Sequence, residues 1–177
     1  ISQCIHDVGA GAKAQEYNNE LYRDFGNMTY KISDYLRLRG FETSVAHPRE
    51  ETIDFSHLAQ KAGMGAIGKS GLLISPEIGP NQKIAAILVN IKNLPKAESD
   101  SYDWIPDYCN YCNSCVRACP HDALILDKKT KTVSFTEELC IGCSEGCTEC
   151  IKACPFYKKG YEAVFEKYKR IKMKSEK

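Results

Sequence analysis

Two runs of closely spaced cysteines constrain the fold of this chain more than any other feature of its sequence. Nine of its ten cysteines lie between Cys109 and Cys154. The first run reads C-x₂-C-x₂-C-x₃-C-P and consists of Cys109, Cys112, Cys115 and Cys119, followed by Pro120. The second run reads C-x₂-C-x₆-C-x₃-C-P and consists of Cys140, Cys143, Cys150 and Cys154, followed by Pro155, with Cys147 inside its longest gap. Any fold of this chain has to gather these thiols into a small volume.

The spacing predicts two 4Fe–4S clusters, because the first run matches the bacterial ferredoxin pattern residue for residue. Two intervening residues let a tight loop present successive thiolates to one cluster. The last cysteine of each run lies too far round a turn and ligates the neighbouring cluster. One cluster is therefore predicted on Cys109, Cys112, Cys115 and Cys154. The other is predicted on Cys140, Cys143, Cys150 and Cys119.

The second run permits a different assignment. A tighter pattern, Cys147-x₂-Cys150-x₃-Cys154, would leave Cys140 or Cys143 spare. The clean x₂ pair of Cys140 and Cys143 favours the first assignment, and a similar long gap in some two-cluster ferredoxins supports it. Cys147 is then either a thiol outside the clusters or a replacement ligand.

Zinc and disulfides are the other uses of clustered cysteines. Zinc usually takes two C-x₂-C pairs rather than a three-cysteine run closed by Cys-Pro. Disulfides need an oxidising compartment, and no signal peptide is visible. No apolar run is long enough to span a bilayer, and the net charge of +1 gives no general attraction to nucleic acid. These observations predict a cytoplasmic protein without a membrane segment.

The region before the cysteines predicts a mixture of helix and strand. Apolar residues at spacings of three and four predict a helix with one face toward a core, at Leu21, Phe25, Met28, Ile32, Tyr35 and Leu36. The alternating stretch 41–46 predicts a strand. The continuous apolar run 83–92 predicts a strand buried on both faces of an α/β layer. The polar stretch 93–107 predicts a linker into the cysteine region.

Within and after the cysteine region, two further elements are predicted. Residues 124–126 and 132–135 should pair as a small hairpin. A helix should begin near Tyr157 or Tyr161. Its lysine-rich stretch, 158–177, could dock an acidic redox partner, but an ordinary solvated helix face is favoured.

A glycine-rich segment, Gly63-Met-Gly-Ala-Ile-Gly-Lys-Ser70, matches the phosphate-loop pattern GxxxxGK[ST] and contains GxGxxG. Both motifs require a strand before the loop and a helix after it. Here the preceding stretch reads as helix, capped by Asp54, and the following stretch reads as extended and ends at Pro76. ATP binding is therefore not expected.

The longer stretch from His57 to Pro80, HLAQKAGMGAIGKSGLLISPEIGP, resembles a signature of the epoxyqueuosine reductase and reductive dehalogenase superfamily. The order of glycine segment, strand and two cysteine runs is also similar, over about residues 13–155. The resemblance implies an α+β chain, with a partial nitroreductase-like α/β domain at 1–97, a two-cluster ferredoxin-like domain at 98–157 and a C-terminal helix at 158–177.

The resemblance also implies a function. It points to a reductase that passes electrons through two 4Fe–4S clusters to a corrinoid (cobalamin), with a small-molecule or tRNA substrate and a protein electron donor. Cofactor contacts are expected from Gly63, Gly65, Gly68, Lys69 and Ser70, whose glycines let backbone approach the corrinoid or a neighbouring loop. The family's N-terminal portion is absent or vestigial, so catalytic residues stay unassigned. The alternative is a ferredoxin-like electron carrier without a catalytic site.

Six other side chains are expected to have structural roles. Asp54 and His57 should serve as a helix cap and an ordinary histidine. His121 should bond locally or tune a cluster. Aromatic side chains near the first cysteine should shield a cluster from water; they are Trp104, Tyr108 and Tyr111.

Overall fold

The structure, a computed structural model, describes residues 10–46, 53–94 and 102–175. Two 3₁₀ turns occur at Glu137–Leu139 and Cys143–Glu145. The helices and strands are, in chain order, α1 (Ala12–Arg37), β1 (Thr43–Ala46), α2 (Phe55–Lys61), β2 (Ala66–Ile67), β3 (Leu73–Ile74), β4 (Ala86–Val89), α3 (Trp104–Cys112), α4 (Ser114–Ala118), β5 (Leu124–Leu126), β6 (Val133–Phe135), α5 (Glu149–Lys152), α6 (Pro155–Lys159) and α7 (Tyr161–Ser175). None of the helices in these ranges has the length and apolar composition that a membrane crossing requires.

Helix α1 turns small and polar residues toward the rest of the chain. Its buried residues are Ala14, Asn18, Thr29 and Ser33. Three members of the predicted apolar stripe, Met28, Ile32 and Tyr35, are about half exposed. The prediction of a helix is confirmed. The prediction that this stripe faces the core is wrong for these three residues, whereas Leu21, Phe25 and Leu36 are half-buried.

Close contacts explain which face of α1 is buried. The Ser33 hydroxyl lies 2.7 Å from the Thr43 hydroxyl. At the other end of the helix, a Cβ added to Gly146 would lie only 2.2 Å from the Cβ of Ala14. Large side chains do not fit between elements that approach so closely, and they therefore occupy the outer face.

Strands β1 and β4 form an antiparallel pair in which Thr43 lies opposite Val89 and Ala46 opposite Ala86. Helix α1 packs against both strands. Leu88, near the middle of β4, is 53% exposed. The strand predicted from the apolar run is confirmed in a shorter form. Its predicted burial on both faces is wrong for the described residues, because α1 covers only one side of a two-stranded sheet.

The glycine-rich segment connects a helix to a hairpin. Helix α2 is capped by Asp54, whose carboxylate accepts a hydrogen bond of 3.0 Å from the backbone N–H of His57. After α2 the chain turns into the pair β2–β3, in which Ala66 lies opposite Ile74. The order helix, turn, strand agrees with the sequence prediction and differs from the strand, loop, helix order of phosphate-binding loops.

The main core joins this hairpin to the cysteine region. Two of its buried residues come from β2 and β3, and four come from α3, α6 and α7. The residues are Ala66, Ile74, Ile105, Tyr108, Phe156 and Val164. The core therefore crosses the domain boundary predicted between residues 97 and 98.

Aromatic rings fasten α7 to α3. The Trp104 ring centroid lies 5.1 Å from that of Tyr161 and 4.8 Å from that of Phe165. The indole N–H also donates a hydrogen bond of 3.0 Å to the Tyr161 hydroxyl. The C-terminal helix is confirmed. The predicted linker is wrong at its end, because α3 begins at Trp104 and holds Pro106 in its first turn, where a missing N–H costs nothing.

The predicted hairpin of the cysteine region is also confirmed. Strands β5 and β6 pair antiparallel, with Leu124 opposite Phe135. The connecting turn is held by Asp127, whose carboxylate accepts a hydrogen bond of 2.7 Å from the backbone N–H of Lys129.

Gly65→Ala should destabilise the fold. A Cβ at this position would lie 2.1 Å from the carbonyl oxygen of Ile74, and the backbone φ is +148°. Overpacking and strain together should cost about 3 kcal/mol. Gly26→Ala is the matched control, because nothing lies within 4 Å of a Cβ there and alanine favours a helix. Thermal unfolding followed by circular dichroism should show a lower midpoint for the first variant only. Equal midpoints for the two would contradict the tight approach of Gly65 to β3.

Candidate metal centre

The first cysteine run lies on two short helices separated by a left-handed residue. Cys109 and Cys112 are three residues apart on α3 and project from the same side. Asn113 ends that helix with φ of 50°, a conformation that asparagine tolerates better than most residues. The chain reverses there into α4, which carries Cys115.

Cys154, from the end of the second run, joins these three thiols. Burial raises the pKa of the Cys109 thiol to about 12, and the thiolates of Cys154, Cys115 and Cys112 raise it in addition. Burial also raises the pKa of Cys154 to about 11, with Cys112 and Cys115 acting in the same direction. Such mutual effects require the four thiols to lie near one another. We call Cys109, Cys112, Cys115 and Cys154 the first thiol group.

The second thiol group surrounds Cys150 and contains Cys140, Cys143, Cys147 and Cys150. Burial raises the pKa of the Cys150 thiol to about 12. The thiolates that raise it further are those of Cys143, Cys115, Cys147 and Cys140. Because Cys115 belongs to the first thiol group, the two groups are adjacent. Cys119 ends α4 and is not among the thiolates that act most strongly on Cys150, whereas Cys147 is.

The thiols surround a volume rather than converge on one point. No disulfide joins any of the nine described cysteines. Across 10–46, 53–94 and 102–175, no three side chains of Cys, His, Asp or Glu approach closely enough to hold one metal ion. A mononuclear zinc site needs ligands at about 2.0–2.3 Å from a single ion, whereas a polynuclear cluster takes thiolates at its corners. A small cavity is lined by Cys109, Cys112, Cys115, Cys150 and Cys154.

The Tyr108 hydroxyl gives a second indication that a cluster fits. Tyr108 is 1% exposed. Among the described residues its buried hydroxyl has no nitrogen or oxygen hydrogen-bond partner, and the side chain that interacts with it is the Cys112 thiol. Burial raises the pKa of Tyr108 to about 12, and the thiolates of Cys112, Cys109 and Cys154 act in the same direction. A neutral O–H donor therefore lies beside the first thiol group, where the sulfur atoms of a bound cluster would accept its hydrogen bond.

The glycine-rich segment lies against the first thiol group. A Cβ on Gly68 would lie 2.6 Å from Ile74 Cδ1 and 3.7 Å from Cys109 Sγ. Lys69 and Ser70 line the small cavity together with the cysteines.

The other two glycines of this segment are required by the backbone conformation and by close backbone packing. Gly63 follows α2 with φ of +75°, as is common where a helix ends. Gly65 approaches the backbone of Ile74. The close approach expected of these glycines is thus made to the neighbouring strand β3, and contact with a corrinoid stays a prediction.

A groove of about 650 Å³ lies on another side of the same segment. Residues 67–72 form one wall, and residues 131–133 and 135 of the β5–β6 hairpin form the other, with Pro106 and Asn110 between them. Its charged side chains among the described residues are Lys69 and Lys131, and no carboxylate or imidazole is found in that lining. The groove could hold a largely apolar ligand that carries negative charge.

Helix α1 covers the second thiol group, a contact that the sequence did not predict. The N–H of Gly11 donates a hydrogen bond of 3.2 Å to the Glu145 carbonyl, and the Asn18 amide donates one of 3.4 Å to the Ser144 carbonyl. Gly146 has no side chain, which lets Ala14 approach. The glycine at position 146, within the second cysteine run, is the sequence signal that could have indicated this contact.

The candidate acids and bases have exposed side chains. The Asp54 carboxylate is 2.6 Å from His57 Nδ1, and both side chains are more than half exposed. The backbone N–H of His57 and then its ring hold the pKa of Asp54 below its usual value. His121 is exposed. The structural roles expected for Asp54 and His57 agree with these contacts.

The cysteine region matches the family described as the 4Fe-4S dicluster domain over residues 108–158. The chain is 27% identical over 119 residues to a tetrachloroethene reductive dehalogenase of Desulfitobacterium hafniense, which covers 63% of this chain and 20% of the dehalogenase. It is 31% identical over 122 residues to an epoxyqueuosine reductase of Listeria monocytogenes, which covers 61% of this chain and 30% of the reductase. The aligned part is thus less than a third of either relative.

Solved structures share the fold. An epoxyqueuosine reductase bound to an epoxyqueuosine-modified tRNA-Tyr stem loop superposes with a TM-score of 0.57 at 18% identity, over 90% of this chain and 47% of that one. A reductive dehalogenase, whose structure suggests a mechanism for B12-dependent dehalogenation, superposes with a TM-score of 0.55 at 19% identity, over 78% of this chain and 21% of that one. The cysteine region is a dicluster domain for two 4Fe–4S clusters, and the chain around it is similar in sequence and fold to epoxyqueuosine reductases and reductive dehalogenases.

Proposed function

We propose that this chain carries electrons through two 4Fe–4S clusters to a corrinoid-dependent reductase site of the epoxyqueuosine reductase type. The observation that carries the proposal is the adjacency of the two thiol groups, because Cys150 of the second group lines the same small cavity as the four cysteines of the first. Bound 4Fe–4S clusters supply reversible one-electron transfer. The chain contributes thiolates, a buried environment and a short separation between the two sites.

The ligands follow from the cross-ligation rule. We assign Cys109, Cys112, Cys115 and Cys154 to the first cluster, which agrees with the composition of the first thiol group. We assign Cys140, Cys143, Cys150 and Cys119 to the second cluster. The position of Cys147 beside Cys150 supports its role as the alternative fourth ligand.

The groove beside the glycine-rich segment is the proposed corrinoid contact. Its volume of about 650 Å³ lies within the range of about 300–1,000 Å³ that is usual for small-molecule sites. Lys69 and Ser70 line both the groove and the small cavity between the thiols. A cofactor seated in the groove would be separated from the first thiol group only by this segment, which suits electron transfer between them.

The substrate and the donor are proposed from the relatives. The epoxyqueuosine reductase that binds a tRNA stem loop supports a tRNA substrate, and the dehalogenases support a small halogenated molecule. We also propose a protein electron donor and a cytoplasmic location. The region before residue 98 is proposed to be part of a nitroreductase-like α/β domain.

A second candidate is a ferredoxin-like electron carrier. It is favoured by the lining of the groove, which offers Lys69 and Lys131 but, among the described residues, no carboxylate or imidazole to move a proton. A carrier needs only the clusters and a docking surface. Binding of cobalamin separates the two candidates.

The iron content tests the cluster assignment. After anaerobic reconstitution the protein should contain about eight irons and eight sulfides per chain, as two 4Fe–4S clusters require. Chemical assays of iron and sulfide measure this directly. About four irons, or one zinc for each group of four thiols, would contradict it.

Alanine variants of single cysteines test the second cluster. Cys147→Ala should keep the full iron content and the electron paramagnetic resonance signals of both reduced clusters. Cys119→Ala should lose about half of the iron, because it removes one proposed ligand. The reverse result would make Cys147 the ligand and Cys119 the spare thiol.

A bulky side chain in the groove tests the corrinoid contact. Val133 and Ile125 lie on opposite faces of the β5–β6 hairpin, and only Val133 lines the groove. Val133→Trp should weaken cobalamin binding at least about tenfold by filling the groove, whereas the control Ile125→Trp should not. Titration with cobalamin under reducing, anaerobic conditions, followed by visible absorption, measures the affinity.

Iron content should stay unchanged in both tryptophan variants. Valine at Gly65 or Gly68 would be a poorer test of the corrinoid contact. Gly65 packs against the backbone of β3, and Gly68 packs against Ile74 and Cys109. If the wild-type protein does not change the absorption spectrum of cobalamin, the electron-carrier function is favoured.

A further inference from the structure

Lys69, from the phosphate-loop-like motif, reaches into the cysteine region. It lies in the turn between β2 and β3 and is half-buried. Its ammonium donates a hydrogen bond of 2.8 Å to Oδ1 of Asn113. Asn113 is the left-handed residue between Cys112 and α4, so this bond fixes the ammonium at the centre of the first cysteine run.

Two groups of Lys69 act on the thiols. Its backbone N–H donates a hydrogen bond to the Cys109 sulfur. Lys69 also lines the small cavity together with Cys109 and Cys115, and Asn113 holds its ammonium there. Both groups therefore stabilise negative charge on the first thiol group.

The second thiol group has the opposite surroundings. The stretch 137–149 carries four glutamates, Glu137, Glu138, Glu145 and Glu149. Only Glu149 forms an ion pair with a lysine among the described contacts, at 3.3 Å from Lys152. Near the first thiol group the only acidic residue of α3, Asp107, is paired with Lys172 at 3.0 Å. The segment that carries the second group is therefore more acidic than α3, which carries Cys109 and Cys112 of the first.

We propose that Lys69 raises the reduction potential of the cluster held by the first thiol group above that of the second. The proposal rests on the cluster binding proposed above. Each one-electron reduction, from a low-potential donor, adds one negative charge to a centre already surrounded by four thiolates. A nearby ammonium and an N–H donor to sulfur both favour the more negative state. Electrons that enter at either cluster then collect on the one beside the groove.

Redox titration of charge variants tests this role. Lys69→Gln removes the charge while keeping a donor for Asn113, and Lys69→Arg keeps the charge. Lys61→Gln is the matched control, because Lys61 is an exposed lysine on the preceding helix α2. Reconstituted protein is titrated with titanium citrate, and both one-electron steps are followed by electron paramagnetic resonance.

Lys69→Gln should lower the midpoint potential of one of the two steps by about 59 mV. For one electron this is a tenfold change in the equilibrium constant toward the oxidised cluster. Lys69→Arg and Lys61→Gln should move neither step by as much as a third of this. If Lys69→Gln moves neither step, or moves both equally, the proposal is wrong. Iron content is measured on every sample, so a failure of cluster binding itself would be seen separately, as fewer than eight irons in the wild-type protein.

A second variant keeps the proposal testable if Lys69→Gln does not hold the first cluster. Asn113→Asp places a carboxylate against the Lys69 ammonium and cancels its charge, and aspartate tolerates the left-handed backbone. The same step should shift in the same direction by a similar amount. Unshifted potentials in Asn113→Asp would overturn the proposal.

Discussion

Burial of closely spaced cysteine thiols is the constraint on which the rest of this structure depends. Burial and neighbouring thiolates together raise the pKa values of Cys109 and Cys150 to about 12. Without metal, these side chains would be protonated thiols packed together. Iron binding removes the protons and supplies the positive charge that lets the thiolates remain close. The short helices α3, α4 and α5 are too brief to be stable alone, and a bound cluster would connect them through their cysteines.

The region before the cysteines covers both thiol groups. The β2–β3 hairpin lies against the first group through Gly68 and Lys69, and α1 lies against the second through Ala14 and Asn18. Strand pairs as short as β2–β3 and β1–β4 are marginal by themselves. Their stability therefore depends on packing against the cysteine region, and loss of iron should loosen the N-terminal region as well.

Local signals in the sequence predicted local features. The carboxylate of Asp54 predicted a helix start, the alternating residues 124–126 and 132–135 predicted a hairpin, and cysteine spacing predicted a metal centre. The failures concern contacts between segments far apart in sequence. The apolar stripe of α1 has the correct period for a helix, but periodicity does not reveal that Gly146 and Thr43 approach the other face. The location of the glycine segment beside Cys109 likewise follows from packing over about forty residues of chain, for which no short motif exists.

The glycine segment illustrates why a motif can be correct in chemistry and misleading in function. In a phosphate loop, backbone N–H groups freed by glycine and a lysine ammonium surround an anion at a helix N-terminus. Here the same residue types follow a helix and precede a strand, so no helix dipole is aimed at a ligand. The N–H and ammonium of Lys69 nevertheless lie beside the sulfurs of Cys109 and Cys115, which would carry negative charge in a bound cluster. In a phosphate loop and in this segment alike, N–H donors and an ammonium lie beside a compact negative charge. The two differ in the negatively charged group, and the order of helix and strand determines which group fits.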